Sequence, residues 1–198
     1  MNRKLCLKQK AFFKATIILL SLSLSLEAGT IFDYASKRHN VNKKILASIA
    51  YQESDFNMKV VGVTLKDSYN SKILKRCLSV INCKSSFGAH RATIYPKSNE
   101  QAKLLLLSLN RLHLDYDVGL MQINKYNIEK RHLQPIRLLS DVFYNIDIGA
   151  RIYKECSNRF SNIEDSFECY NKGYDRRKFN YRYSDAIINK YKKLFDVR

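Results

Sequence analysis

VNKKILASIAYQES, residues 41–54, reads as one amphipathic helix. Ile45, Leu46, Ile49 and Ala50 recur at i, i+3 and i+4, the spacing that gathers side chains on one helical face. Glu53 falls on that same apolar stripe, one residue before the helix ends. Both circumstances oppose a carboxylate. The C-terminal end of a helix carries partial negative charge, and an inward face strips water from a charged group. Each effect favours the protonated acid, and a glutamate kept protonated near neutral pH can donate a proton to a glycosidic oxygen. The competing reading is a glutamate that swings to the surface or pairs with a lysine or arginine. Position alone leaves the two open.

Outward from this helix the pattern stays mainly helical. Residues 30–37 form a short amphipathic segment ahead of it. Ser98-Asn99-Glu100-Gln101 is a capping box that predicts a helix over 102–112. A further helix is expected over 142–159, with Ile146, Ile148, Gly149, Ile152 and Tyr153 inward. Ser161-Asn162-Ile163-Glu164 is a second capping box, opening a helix through Tyr170 that stops at Gly173. Ser184 opens the last helix, with Ala186, Ile187, Tyr191 and Leu194 on its buried side. Between residues 58 and 95 the helical period is lost. Residues 59–64 and 91–95 predict short strands around a disulfide-tied loop. No repeat or Pro/Gly-rich linker appears, and there are only two prolines and six glycines. The sum is one mainly α (α+β) domain with a small β excursion.

The chain of 198 residues suits about one domain. Its start has a different character. Arg3, Lys4, Lys8, Lys10 and Lys14 precede the apolar run 15–26, and small residues follow at Ala28 and Gly29. This is the layout of a secretory signal, with a core short for a membrane span, so residues 1–28 are expected to direct export and 29–198 to form the domain. An uncleaved anchor is the alternative. Removing the five basic residues and one acid before Ala28 leaves 30 basic and 17 acidic residues, a net charge of +13. Such a domain meets anionic surfaces. No basic run interleaved with aromatics and no helix-turn-helix or zinc-finger pattern singles out nucleic acid, so no specific nucleic acid is expected. Cys6 leaves with the signal. The remaining Cys77, Cys83, Cys156 and Cys169 fit two disulfides in an exported domain. Three pairings exist, of which the sequence-local Cys77–Cys83 and Cys156–Cys169 each bracket one compact segment. No CxxC occurs and the four histidines are scattered, so neither a metal nor a cofactor is expected.

Two further segments carry polar groups. In Asp115-Tyr116-Asp117-Val118-Gly119-Leu120-Met121-Gln122-Ile123-Asn124 the apolar residues keep neither a helical nor a strand period. Gly119 permits a close backbone approach, and Gln122 and Asn124 offer amides of the kind that bind sugar hydroxyls and acetamido groups. A helix start capped by Asp is the alternative. In Glu168-Cys169-Tyr170-Asn171-Lys172-Gly173 a tyrosine at a helix end could place its phenol in a cleft, or simply be half-buried at a helix stop.

The order of these pieces is informative. Glu53-Ser54, then Gly119-Leu120-Met121-Gln122, then Asn145-Ile146 with Gly149, then Tyr170-Asn171 with Gly173 resembles the soluble lytic transglycosylase family of lysozyme-like, peptidoglycan-cutting enzymes. The run 115–124 looks most like the branch associated with type IV secretion and conjugation. The resemblance spans roughly residues 31–194. It implies a lysozyme-like fold with the β-containing lobe inserted between the Glu53 helix and Gly119-Leu120-Met121-Gln122. It implies Glu53 as the catalytic acid and Ser54 as a neighbour shaping the site. Met121 and Gln122 would line the groove, the Tyr170 hydroxyl would lie near the carboxylate with Asn171 beside it, and Asn145 and Gly149 would pack helices. Two features depart from the family pattern. Sixty-five residues separate Glu53 from Gly119, and Cys169 and Lys172 stand where small residues are common.

Most glycosidases use two carboxylates. Among Asp55, Asp67, Asp115 and Asp117 the best second candidate is Asp117, though a cap or a sugar-hydroxyl acceptor explains it as well. The resemblance implies another route: one glutamate acts as acid and then base, and the muramyl 6-hydroxyl closes a 1,6-anhydro ring. The expectation is therefore a periplasmic, monomeric transglycosylase acting on peptidoglycan glycan strands, with components of a secretion or conjugation machine as partners. A hydrolytic lysozyme and a non-enzymatic wall-binding module are the alternatives.

Overall fold

A computed structural model describes residues 31–195. The expected signal segment and the final three residues lie outside them. Helix α1 covers residues 31–39. It is followed by α2 (Lys43–Ser54), β1 (Val61–Thr64), α3 (Ser68–Ile81), β2 (Lys84–Phe87), β3 (Arg91–Tyr95) and α4 (Asn99–Arg111). Then come β4 (Tyr116–Val118), β5 (Ile123–Asn124), α5 (Lys125–Lys130), α6 (Pro135–Ser140), α7 (Val142–Arg159), α8 (Ile163–Lys172), a 3-10 turn (Arg176–Lys178) and α9 (Arg182–Phe195). The fold is mainly α with one small antiparallel sheet, ordered β2-β3-β1-β4-β5.

Caps fix the helix ends. Asn42, Ser98, Asp141 and Asn162 each accept a hydrogen bond from a backbone N–H in the first turn of the helix they precede. The second capping box is therefore shifted by one residue, with Asn162 rather than Ser161 as the cap. Helix α7 has the bounds its apolar spacing predicts, and all five expected inward residues are buried. Helix α9 begins two residues before Ser184, and only Ser184 and Ile187 of its side chains are fully buried.

The sheet explains the 58–95 excursion. One face carries Val61, Val63, Ala92, Ile94, Tyr116, Val118 and Ile123 into the core. By strand alternation the other face carries Gly62 and Thr64, Arg91 and Thr93, Asp117 and Asn124. The run 115–124 is thus a hairpin rather than a capped helix start. Core and groove are the two sides of the same strands.

The excursion also corrects two expectations. Residues 68–81 form a full helix, capped by Asp67, that buries Leu74 and Leu78. Cys77 and Cys83 are free thiols, so the Cys77–Cys83 disulfide does not form. Asn82 ends the helix in the left-handed region (φ 59°) and turns the chain toward β2, and just before that strand the Cys83 Sγ lies 3.9 Å from Gln101 Oε1. The Gln101 amide donates to the carbonyls of Ile81 and Asn82, tying this helix end to α4. Cys156 and Cys169 do pair, joining α7 to α8.

Candidate active site

Glu53 sits in the last turn of α2, where the helix runs into two consecutive left-handed residues, Asp55 (φ 52°) and Phe56 (φ 61°). Loss of solvation is the largest influence on its carboxyl and raises the pKa from 4.5 to about 7. A hydrogen bond from Tyr183 pulls it down, Asp117 pushes it up and Arg91 pulls it down. Burial therefore outweighs the opposing contacts, and Glu53 is poised between acid and base near neutral pH.

Helices α8 and α9 build one wall. The Tyr183 hydroxyl donates a hydrogen bond to Glu53 Oε1. Burial first, then the neighbouring Glu53, keeps that phenol well above its ordinary pKa, so it remains a neutral donor. Glu168 fixes where Tyr183 starts. Its fully buried carboxylate accepts from the backbone N–H groups of Tyr183 (3.0 Å) and Ser184 (3.1 Å), closing the N-terminus of α9, and from Lys172 Nζ at 2.6 Å. Burial opposes this charge, but the lysine and the backbone donors prevail and lower its pKa. Tyr170, beside the disulfide at Cys169, donates to the Met121 carbonyl at 2.7 Å. Its hydroxyl is thus committed to the backbone, while Tyr183 is the tyrosine that engages Glu53. Tyr170 still lines the same hollow.

The sheet and the Gly119-Leu120-Met121-Gln122 turn build the other wall. Gly119 has φ +80°, and a Cβ there would lie 2.2 Å from Asn145 Nδ2 and 2.4 Å from the Leu138 carbonyl oxygen. Fully buried Asn145 accepts from the Met121 N–H (2.8 Å) and donates to the carbonyls of Val118 (3.1 Å) and Leu138 (3.0 Å). A Cβ on Gly149 would stand 2.8 Å from the Met121 side chain. Asn145 and Gly149 therefore act in packing. Met121 is fully buried, so its side chain belongs to the core and not to the groove. Gln122 (φ 44°) does line the hollow. Its amide donors, however, are spent on the Gly119 (2.8 Å) and Val60 (3.3 Å) carbonyls. The Ser54 hydroxyl lies within reach of the carbonyls of Ala50 (3.1 Å) and Leu120 (2.8 Å), bracing α2 against the turn where Ser54 lines the hollow beside Glu53.

Asp117 lines the same hollow as Glu53 and accepts from Arg91 Nη2 and from Asn124 Nδ2, each at 2.9 Å. Asn124 in turn caps α5 through the Tyr126 N–H. Asn171 is exposed on the helical wall, and among the described residues no protein group takes its amide. Strand spacing hid Arg91 from the sequence reading. Gly62, an isolated glycine in a strand, was the available hint of a close approach beside it. Tyr183 carried no local signal, lying 130 residues from Glu53.

The central hollow has a volume of about 250 Å³. It shares Glu53, Arg91 and Gln122 with a neighbour of about 510 Å³ that extends past Tyr51, Thr93, Tyr95 and Lys190. On the other side it shares Tyr170 and Asn171 with one of about 430 Å³ that extends to Lys130 and Tyr174. Through these shared residues the three hollows adjoin as one groove, with Glu53 lining two of them. Among the described residues no three His, Cys, Asp or Glu side chains gather as a metal site, and no helix is long and apolar enough to cross a membrane.

A mainly helical α+β domain with a small sheet, a long groove and one glutamate raised toward neutral pH is of the lysozyme-like class. Residues 30–191 match the transglycosylase SLT domain, and the chain belongs to that family. Comparison with curated proteins and with solved structures gives no match.

Proposed function

We propose that this protein is a peptidoglycan lytic transglycosylase that cleaves the MurNAc–GlcNAc β-1,4 bond and leaves a 1,6-anhydroMurNAc end. The supporting observation is Glu53 itself: one carboxyl with a pKa of about 7, held by Tyr183 in a groove lined mainly by polar side chains. Protonated Glu53 gives its proton to the glycosidic oxygen as the C1–O bond breaks. Its carboxylate then takes the proton from the muramyl 6-hydroxyl as that oxygen bonds to C1. Departure and ring closure thus use the same group in turn, and the groove supplies the alignment. Tyr183 donates to the carboxylate formed between the two steps. Asn171 offers an amide to the acetamido or hydroxyl groups of the strand, with Gln122 and Asn124 shaping the floor.

The N-terminal layout and the +13 charge of the remaining chain support work outside the cytoplasm, on the anionic wall of the periplasm. The run 115–124 supports a role in opening the wall for an envelope-spanning secretion or conjugation apparatus. One observation favours a hydrolytic lysozyme instead: Asp117 shares the central hollow with Glu53. Mass spectrometry of digested peptidoglycan separates the two. Anhydromuramyl ends are expected, and muramyl reducing ends in their place would replace the transglycosylase with a hydrolase. Glu53→Gln is expected to lower turnover about a thousandfold, within the range a positioned acid–base supplies.

A further inference from the structure

Resting on that single-glutamate reading, we propose that Arg91 is a positioning residue that ties Asp117 into the sheet, denies the groove a second working carboxylate, and so selects the anhydro product over hydrolysis. The register makes this possible. Gly62 pairs with Asp117 on β4 and with Thr93 on β3, while Arg91 pairs with Thr64. On the groove face Gly62 therefore lies directly beside Asp117, and Arg91 stands diagonal to Gly62 and, across β1, to Asp117. To reach Asp117 the guanidinium must cross position 62. A Cβ there would stand 2.2 Å from Arg91 Nη2, 2.9 Å from its Cζ and 2.7 Å from Gln122 Oε1, so only glycine leaves the path open.

Across that gap Nη2 donates to Asp117 Oδ2 at 2.9 Å and to Gln122 Oε1 at 3.2 Å. The other Asp117 oxygen accepts from Asn124 at 2.9 Å. Each carboxylate oxygen is thereby turned to a donor of the sheet. In the hydrolytic alternative, Glu53 protonates the leaving oxygen, water adds through oxygen to C1, and the water's proton goes to Asp117. The Arg91 and Asn124 contacts oppose that last transfer. In cyclisation the 6-hydroxyl proton goes to Glu53, and Asp117 has no part.

The test measures the ratio of anhydromuramyl to muramyl reducing ends, and the pH profile of turnover, on peptidoglycan with the purified full chain. The groups facing Glu53 are Tyr183 from α9, Tyr170 from α8, Asp117 from β4 and Arg91 from β3. Arg91→Met is expected to raise the reducing-end fraction about tenfold, a small part of what a positioned base supplies. Because Arg91 lowers and Asp117 raises the Glu53 pKa, the alkaline limb moves up in Arg91→Met, down in Asp117→Asn, and returns toward the parent in the double variant. The double variant also loses the extra reducing ends, and Arg91→Lys restores the parent ratio. Gly62→Ala displaces the guanidinium without removing it, so it carries the same readout should Arg91→Met fail to fold. Anhydro products from the parent with an unchanged ratio in both Arg91→Met and Gly62→Ala overturn the assignment of Arg91 alone. Reducing ends from the parent chain overturn the transglycosylase reading itself.

Discussion

Tyr170 and Tyr183 reach the Glu53 neighbourhood from the helical wall as neutral phenols, whereas the sheet wall presents Arg91 and Asp117 as an ion pair. The helical wall gives the carboxyl one hydrogen bond, from Tyr183. The sheet wall adds two charges whose influences on Glu53 oppose each other. Loss of solvation thus raises the pKa of the acid, and the sheet contributes two opposing influences, that of Asp117 the larger. The walls are also held differently. Cys156–Cys169 and the Glu168–Lys172 cap lock α7, α8 and the start of α9, while the half-exposed Arg91 guanidinium rests on Asp117 and the gap at Gly62.

The largest break in this contrast is expected from Glu168→Ala. It leaves Lys172 without its carboxylate and the Tyr183 and Ser184 N–H groups without their acceptor. Breaking a buried pair of this kind costs about 3–5 kcal/mol, readable as a lower midpoint in urea unfolding. An unchanged midpoint would mean that α9 is anchored elsewhere. Next in size is the stability cost of Glu53 itself. Its folded pKa of about 7 lies above the ordinary 4.5, so the folded state binds the extra proton and stability falls as pH rises between those values. A shift of that size corresponds to about 3 kcal/mol. Glu53→Gln should therefore stabilise the chain by up to that amount at pH 8 and by nearly nothing at pH 4. Equal stability of parent and variant at pH 8 would show that the carboxylate is well solvated.

The legible parts of the molecule share one physical property: they are local. The α2 stripe, the boundaries of α7 and the stop at Gly173 follow from spacing and capping within a few turns. Glu53 stood out because an acid on an apolar helical stripe is a local conflict. The excursion was harder. Ile73, Leu74, Cys77, Leu78 and Ile81 do keep a helical stripe, but the strand-like runs flanking them masked it. With Cys77 on a helix and Cys83 beyond its left-handed cap, proximity in sequence misled about pairing. In the site the division repeats. Gly119 was legible as a close backbone approach and the resemblance gave Asn145 and Gly149 as packing, while Met121, expected in the groove, is buried in the core and Gln122 lines the hollow with its amide donors turned to backbone carbonyls. Tyr183 and Arg91 were not legible because register and helix docking, not spacing, bring them to Glu53.

Tyr183→Phe isolates the helical wall's one polar contact. Its hydrogen bond lowers the Glu53 pKa, so removal should carry the alkaline limb of the pH profile above about 7. The carboxylate formed when the proton leaves would lose a charge-assisted bond, an effect of about 1.5–3 kcal/mol, or about ten- to a hundredfold in turnover. A drop in turnover with the limb unmoved would assign Tyr183 to substrate contact instead. Tyr170→Phe supplies the contrast, because its hydroxyl serves the Met121 carbonyl. It should reduce stability by about 1 kcal/mol and leave the limb near its parent position.

Asn171→Ala should produce the smallest effect, and the reason follows from where its wall ends. The residue is exposed at the rim, next to the C-terminal stop of α8, and no buried group depends on it. Truncating it leaves no unpaired partner inside the protein, so stability should stay within about 0.5 kcal/mol. In the bound complex one amide–sugar hydrogen bond would be replaced by water, a change of about 0.5–1.5 kcal/mol. Such a contact, made equally with the bound strand and with the transition state, appears in KM and not in kcat. A severalfold rise in KM at constant kcat is therefore expected. A fall in kcat with KM unchanged would place Asn171 against the reacting sugar, and the helical wall would then hold two polar contacts to the chemistry rather than one.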